Sequence, residues 1–387
     1  VSAIHRLSAS EKKILSATLG DLVAADSSQN EIAVVAICEK FLRKIDIRSR
    51  KISREKSRPN LIWSLGRGPE ILVAAHSDTV PAGENWDSDP LKIIKKKGFL
   101  VGRGVVDNKS PLAGLLVATQ ILRPFEKNLK NKITFAAVAD EERGNFFGLE
   151  FLLAEKIFPN LSGAIIPDAC GQNSEIEIAE KGVLQIQITA FGKQGHGSLP
   201  AESKNAILIL HEFLLAIHRI NFSKKTKLLA PTTLAVTTFR AGAATNVIPG
   251  EARATLDIRR PPNESTKILL AKIKKVASAL SKKFRVPQFK IEILADLPAS
   301  ETPADSPLVR LTADAIQKIS GKKPRLVGMP AFTFAGLLRA QKIPTVAFGP
   351  GKLSECHRAN EKVRESEVIE FTEILVEISK NFAKMNS

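Results

Sequence analysis

ILVAAHSDTVP, residues 71–81, sets an apolar run against a histidine and an aspartate two residues apart. Five apolar residues in a row read as a strand buried on both faces, of the kind found in a parallel sheet covered by helices. A His-x-Asp pair at its end is, taken alone, a strand leaving the core through a polar turn. His76 and Asp78 acquire meaning only if other polar residues fall in the same kind of place, so the remaining strand ends decide the matter.

Three further apolar runs end alike. KITFAAVAD (132–140) leads to Glu141 and Glu142, GAII (163–166) leads to Asp168, and IPTVAFGPG (343–351) leads into a loop that carries His357. Asp107, in GRGVVDNKS (102–110), precedes the helical run PLAGLLVATQIL (111–122). Helix signals lie between the runs. Ser8 and Glu11 form a capping box ahead of KKILSATLGDLVAA (12–25), and Ser306 with Pro307 opens PLVRLTADAIQKIS (307–320), which stops at Gly321. The alternation predicts an α/β fold, a mostly parallel sheet covered by helices.

From about residue 180 to 294 the texture changes. VLQIQITAFG (183–192), TTLAVTTFRAG (232–242), EARATLDIRR (251–260) and FKIEIL (289–294) alternate as half-buried strands. NAILILHEFLLAIHRI (205–220) and ESTKILLAKIKKVASALSKKF (264–284) read as helices. The order βαββαβ is that of a small antiparallel sheet with two helices on one face. The expected organisation is therefore a first domain over 1–179 and 295–387, with a second domain over 180–294 inserted into it.

Composition narrows the function classes. The 387 residues are 44% apolar and 25% charged, as in ordinary soluble globular proteins. No stretch reaches the roughly 18 uninterrupted apolar residues of a membrane span. The densest, AILILHEFLLAI (206–217), is broken by His211 and Glu212. VSAIHRLSASEKKIL (1–15) has no basic head followed by an apolar segment, so no secretion signal is expected there. Cys38, Cys170 and Cys356 are scattered and odd in number, which fits free thiols and a cytoplasmic location. The net charge of +17 raises the question of a nucleic-acid partner. Its densest basic stretch, FLRKIDIRSRKISREKSR (41–58), has no stacking aromatic among the charges, so a solvated basic surface that steers anionic substrates is the expected reading.

In an open parallel sheet, ligands bind beyond the carboxyl ends of the strands, so these polar strand ends converge on one crevice. Two histidines and several carboxylates gathered there would repel and desolvate badly without a cation. Mixed imidazole and carboxylate donors suit zinc, with cobalt or manganese as chemically reasonable substitutes. One acid more than a single tetrahedral zinc needs points to two ions about 3.5–4 Å apart, sharing an acid and a water. Hydrolysis is the natural output. Glu141 and Glu142 cannot both aim at one ion from a regular strand, so one serves as ligand and its neighbour as general base.

These residues carry a family resemblance. HSDTVP (76–81), GRGVVDNKSPLAG (102–114), DEERG (140–144), IIPDA (165–169), GKQGHGSLP (192–200), ATNVIPGEARATLDIR (244–259) and GPGKLSECHRANEKV (349–363) together resemble the M20 metallopeptidases, the group of succinyl-diaminopimelate desuccinylases, acetylornithine deacetylases and glutamate-releasing carboxypeptidases. The resemblance implies two zinc ions per subunit. His76 and Asp168 would hold one, Glu142 and His357 the other, and Asp107 would bridge both. Asp78 would orient His76, Glu141 would act as general base, and the peptide Asp107–Asn108 would be cis. In the inserted domain, a lid and dimerisation domain by this resemblance, His196 would stabilise the oxyanion in the partner subunit of a homodimer. Asn246 and Arg259 would hold the substrate carboxylate, with Gly328 also lining the substrate site.

The implied reaction is cleavage of the amide bond of an N-acyl amino acid (deacetylase or desuccinylase type) or of a small peptide with a free carboxylate. A dipeptidase or carboxypeptidase of the same family stays open, as does, from another class, a metal-free binding or scaffold protein. One departure stands out. In GMPAFTFAGLL (328–338), Phe334 takes the place of an acid common in relatives, which hints at a neutral or apolar substrate group. His211 and His218 are expected to pack structurally, His5 to lie in a frayed terminus, and Cys356 to be a bystander beside His357.

Overall fold

Lys132–Val138, Glu70–His76, Leu161–Ile166 and Thr345–Ala347 lie side by side, all parallel, at the centre of the main sheet. Their sequences explain the placement. Every residue of Glu70–His76 is buried, as is all of Lys132–Val138 except its first residue, because helices cover both faces of such strands. Antiparallel strands flank them: Ser49–Ile52 and Asn60–Leu65 beyond Lys132–Val138, and Glu175–Glu180 beyond Thr345–Ala347. This computed structural model describes residues 4–168, 171–222 and 225–384, which leaves Cys170 outside the described residues.

The chain forms two compact units. The first comprises Val1–Ile178, Thr302–Val327 and Thr333–Ser387; the second comprises Ala179–Glu301 and Gly328–Phe332. In the first, helix Lys109–Leu122 packs on strand Glu70–His76 and against helix Glu365–Phe382, while helix Phe334–Ala340 packs on Leu161–Ile166 and Thr345–Ala347. Gly114 permits the close helix contact, since a Cβ there would sit 2.8 Å from the Phe371 ring. The end signals act as expected. Ser8 and Glu11 complete a capping box on Ala9–Ala24, and Ser306 caps Pro307–Ser320, which closes on Gly321 at φ 74°.

The second unit has a four-stranded antiparallel sheet in the order Thr233–Ala241, Glu251–Arg260, Gly182–Phe191, Lys290–Leu297. Its last strand passes the expected boundary at 294. Helices Ala206–His218 and Thr266–Phe284 contribute Phe213, Ile217, Ile273 and Leu280 to one core with the inward residues Leu184, Ile186, Leu256 and Ile258. Those strand residues alternate with exposed or half-buried ones, the pattern of a sheet with one covered face. His211 and His218, expected to pack, are instead exposed on the outer side of their helix. A spacing of seven keeps two residues on one helical face without saying which face that is. His5, expected in a frayed terminus, lies 3.0 Å from the Glu11 carboxylate. Among the described residues, no helix is long and apolar enough to cross a membrane.

Candidate metal centre

Because the central strands are parallel, His76 and Val138 end them in register, and the chain after each emerges at the same edge of the sheet. Asp168 follows Leu161–Ile166 at that edge, and the loop after Thr345–Ala347 brings His357. The structure gathers the ligating atoms of His76, Asp107 and Asp168 within 4.8 Å of one another, and does the same for Asp107, Glu142 and His357. Asp107 belongs to both groups. His76 Nε2 lies 2.7 Å from one Asp107 oxygen and His357 Nε2 lies 3.2 Å from the other. His357 Nε2 also sits 3.1 Å from Glu142. The Asp107–Asn108 peptide is cis, and the Asn108 side chain donates to the Pro167 carbonyl at 2.8 Å.

Asp78 ties the first two ligand segments together. His76 Nδ1 is 3.0 Å from the Asp78 carbonyl and 3.4 Å from its carboxylate, an arrangement that leaves Nε2 facing Asp107. The same carboxylate accepts the backbone N–H groups of Glu141 and Glu142, both at 3.1 Å, so the short turn bearing these glutamates is fixed to the His76 loop.

Behind Asp78 lies a cation that sequence reasoning missed. Arg58 is buried, forks onto Glu31 at 2.6–2.9 Å, reaches Asp140 at 2.9 Å and stands 4.0 Å from Asp78. It belongs to the basic stretch 41–58, which reads in sequence as a solvated basic surface, whereas Arg58 is buried. The signal that separates it from its neighbours is the buried strand beginning two residues later at Asn60.

The electrostatics follow from this crowding. Burial opposes charge on His76, but hydrogen bonds to Asp107 and Asp78 outweigh it and hold the imidazole pKa well above the ordinary 6.5. Hydrogen bonds to Asp107 and Glu142 lift His357 to about 10. Burial raises Asp107, yet its two histidine partners prevail and hold it well below 3.8. Burial, with Asp168, Glu142 and Asp107 nearby, pushes Glu141 well above 4.5. Protons on the two histidines thus neutralise part of a cluster of five carboxylates, Asp78, Asp107, Glu141, Glu142 and Asp168. A cation could take over that task through the same nitrogen and oxygen donors, so the donor set fits divalent metal.

Phe334 is fully buried, its ring edge-on to His76 with centroids 6.4 Å apart. It packs against a candidate ligand, so the hint of a neutral substrate group drawn from this residue has no support in its placement. Cys356 is half-buried and belongs to neither donor group.

The remaining candidates belong to the second unit. His196 is exposed, its ring 2.8 Å from the Ser198 hydroxyl, and it pairs in a short ladder with Val247. The Asn246 carbonyl accepts the Gly197 N–H at 2.8 Å, so His196 and Asn246 share one corner of that unit. Arg259 places its guanidinium on Asp257 of its own strand, at 2.7 and 3.2 Å. Gly328 packs where a Cβ would meet Leu229 at 2.6 Å.

Residues 72–381 match Peptidase family M20/M25/M40. The chain belongs to this family. Its members are metal-dependent hydrolases of amide bonds. Family relatives include an uncharacterised metallohydrolase of Methanococcus maripaludis, 29% identical over 84% of each chain. A succinyl-diaminopimelate desuccinylase of Pelagibacter ubique is 31% identical over 86% of this chain and 88% of its own. Among solved structures, aminopeptidase PepT of Bacillus cereus aligns with a TM-score of 0.82 at 24% identity, covering 96% of this chain and 99% of its own. A dinuclear metal-binding peptidase of family M20 from Bacillus subtilis aligns at 0.76 and 17%, covering 96% and 98%. At these identities the structural likeness speaks for the fold.

Proposed function

We propose that this chain is a dinuclear metal-dependent amidohydrolase that cleaves N-acyl amino acids carrying a free carboxylate. The observation that carries the reading is the sharing of Asp107 between two donor groups, each with its own histidine and its own second carboxylate. His76, Asp107 and Asp168 would hold one ion, and Asp107, Glu142 and His357 the other. Zinc is the best match to these donors, with cobalt or manganese as substitutes. When bound, such a pair supplies Lewis acidity toward a carbonyl oxygen and eases deprotonation of water.

Glu141 is the general base in this reading. Its carboxyl feels the charges of His76 and Asp168 in one donor group and of Glu142 and Asp107 in the other, its backbone is pinned by Asp78, and its affinity for a proton is raised by burial and by the acids around it. It would take a proton from water and deliver it to the leaving amine. Asp78 keeps His76 in the tautomer that presents Nε2. His196 would stabilise the developing oxyanion across a homodimer, and Asn246 and Arg259 would bind the substrate carboxylate. The surplus of 57 Lys and Arg over 40 Asp and Glu favours an anionic substrate.

Relatives named as desuccinylases support the N-acyl amino acid class. Neighbours named as a tripeptidase and dipeptidases keep small peptides as a second reading. A screen of zinc-loaded protein against N-succinyl, N-acetyl and dipeptide substrates, scored by amine release, separates them. Release from acylated amino acids is expected, and release from dipeptides alone transfers the assignment to the second reading.

A further inference from the structure

Behind the donor groups lies a second buried ion pair with no part in the reaction just described. Glu361 is fully buried and Arg103 nearly so, and their charged atoms meet at 2.7 Å. The Glu361 carboxylate also accepts three backbone N–H groups of one loop: Gly104 at 3.0 Å, Val106 at 2.7 Å and Asp107 at 3.2 Å. A carboxylate that receives three amides and a guanidinium has its lone pairs filled and its position fixed. Those amides belong to the segment that presents the shared ligand, and one of them is the amide of Asp107 itself.

The pair reaches the other ligand segments as well. Arg103 donates to the carbonyl of Ala82, at 3.1 Å, six residues beyond His76. Glu361 stands four residues after His357. Its carbonyl accepts the Gly102 N–H at 3.1 Å, and the adjoining strands Phe99–Val101 and Lys362–Arg364 pair antiparallel. One ion pair therefore connects the loops of His76, Asp107 and His357.

We infer that Glu361 and Arg103 are positioning residues that clamp these three loops and set the Asp107 carboxylate between the two donor groups. The inference rests on the dinuclear reading above. Because Asp107 is common to both groups, loosening the clamp weakens both binding steps together, whereas loss of His357 weakens one.

Zinc titration of the metal-free chain against a chromophoric chelator tests this, with thermal unfolding of the same metal-free samples as the control. Glu361→Asp keeps the charge but shortens the reach, so it retains a pairing group while losing part of the amide cradle. Glu361→Gln keeps the length and loses the charge. The expected result is that both variants still fold cooperatively, Glu361→Asp nearer the wild-type unfolding temperature and Glu361→Gln below it because Arg103 loses its charged partner, while both zinc affinities fall by roughly 10–100-fold. Wild-type affinity in both variants overturns the clamp, and so does weakening of a single step, as in His357→Ala. If neither variant folds, Glu361 serves the fold and the clamp is again overturned. A wild-type chain that takes up fewer than two zinc ions removes the dinuclear reading and the clamp with it. Two ions in wild type with unchanged variants removes the clamp alone.

Discussion

The two donor groups share an aspartate and differ in almost everything else. The His76 side chain is 1% exposed, ends a regular parallel strand, and has its second ring nitrogen held by Asp78. The His357 side chain is 53% exposed and sits in a loop with φ 61°. One histidine is therefore placed by the sheet and the other by a turn. Burial makes partners matter more in the first group, because a charge left unpaired there has no water to turn to, while solvent screens the second. An ion at the first group should exchange slowly and an ion at the second quickly.

The largest expected effect comes from removing the histidines one at a time. In the metal-free protein, His76→Ala breaks a buried pair with Asp107 and should destabilise by about 3–5 kcal/mol. His357→Ala breaks a half-exposed pair and should cost about 0–1 kcal/mol. Urea unfolding measures both. Metal content after brief dialysis against a chelator should follow the same division, with the slowly exchanging ion kept by His357→Ala and lost by His76→Ala. Equal costs and equal losses would show that the burial contrast has no energetic content.

The second effect separates ligand from base within the adjacent glutamates. Glu141→Gln should leave elemental metal content near wild type while lowering turnover on the order of 10²–10⁴-fold, the span of a general base. Glu142→Gln should lose metal at the open group. Loss of metal in the Glu141 variant would exchange the two roles.

Four of the five candidate ligands were legible because each comes after an apolar run, and parallel sheets put such ends at one edge, whereas Asp107 stands just ahead of a helix. His76, Asp107, Glu142, Asp168 and His357 are each recognisable from a few neighbouring residues. The βαββαβ order was legible for a similar reason, since alternation and helical spacing are local. What holds the ligands was not. Arg58 finds Glu31 across 27 residues and Arg103 finds Glu361 across 258, and a charged residue carries no local mark of a distant partner. Phe334 read as a lost acid in the substrate site because its neighbours align with a loop motif, whereas its ring is spent on His76. The outward direction of His211 and His218 depends on which side of their helix meets the sheet, a tertiary fact.

The smallest effect distinguishes the two histidines by salt. In the metal-free chain each has a folded pKa above the ordinary 6.5, to about 10 for His357 and well above 6.5 for His76. The folded state then holds more protons than the unfolded one between those values. The stability each contributes is fully present below about pH 6.5 and is lost as pH rises through the folded pKa. Glu141, raised from 4.5, adds loss of the same sign from a lower pH, while Asp107, held below 3.8, acts in the opposite sense only at the acid end. The urea midpoint should therefore fall as pH increases from 6.5 toward 10. At about 1 M salt the screening length shrinks to roughly 3 Å, which reaches a half-exposed pair and not a buried one. High salt should thus remove the part of the slope that His357→Asn also removes and leave the rest. A slope that salt abolishes completely would mean that water and ions reach His76 as freely as His357, and the distinction between a closed and an open half of this site would fail.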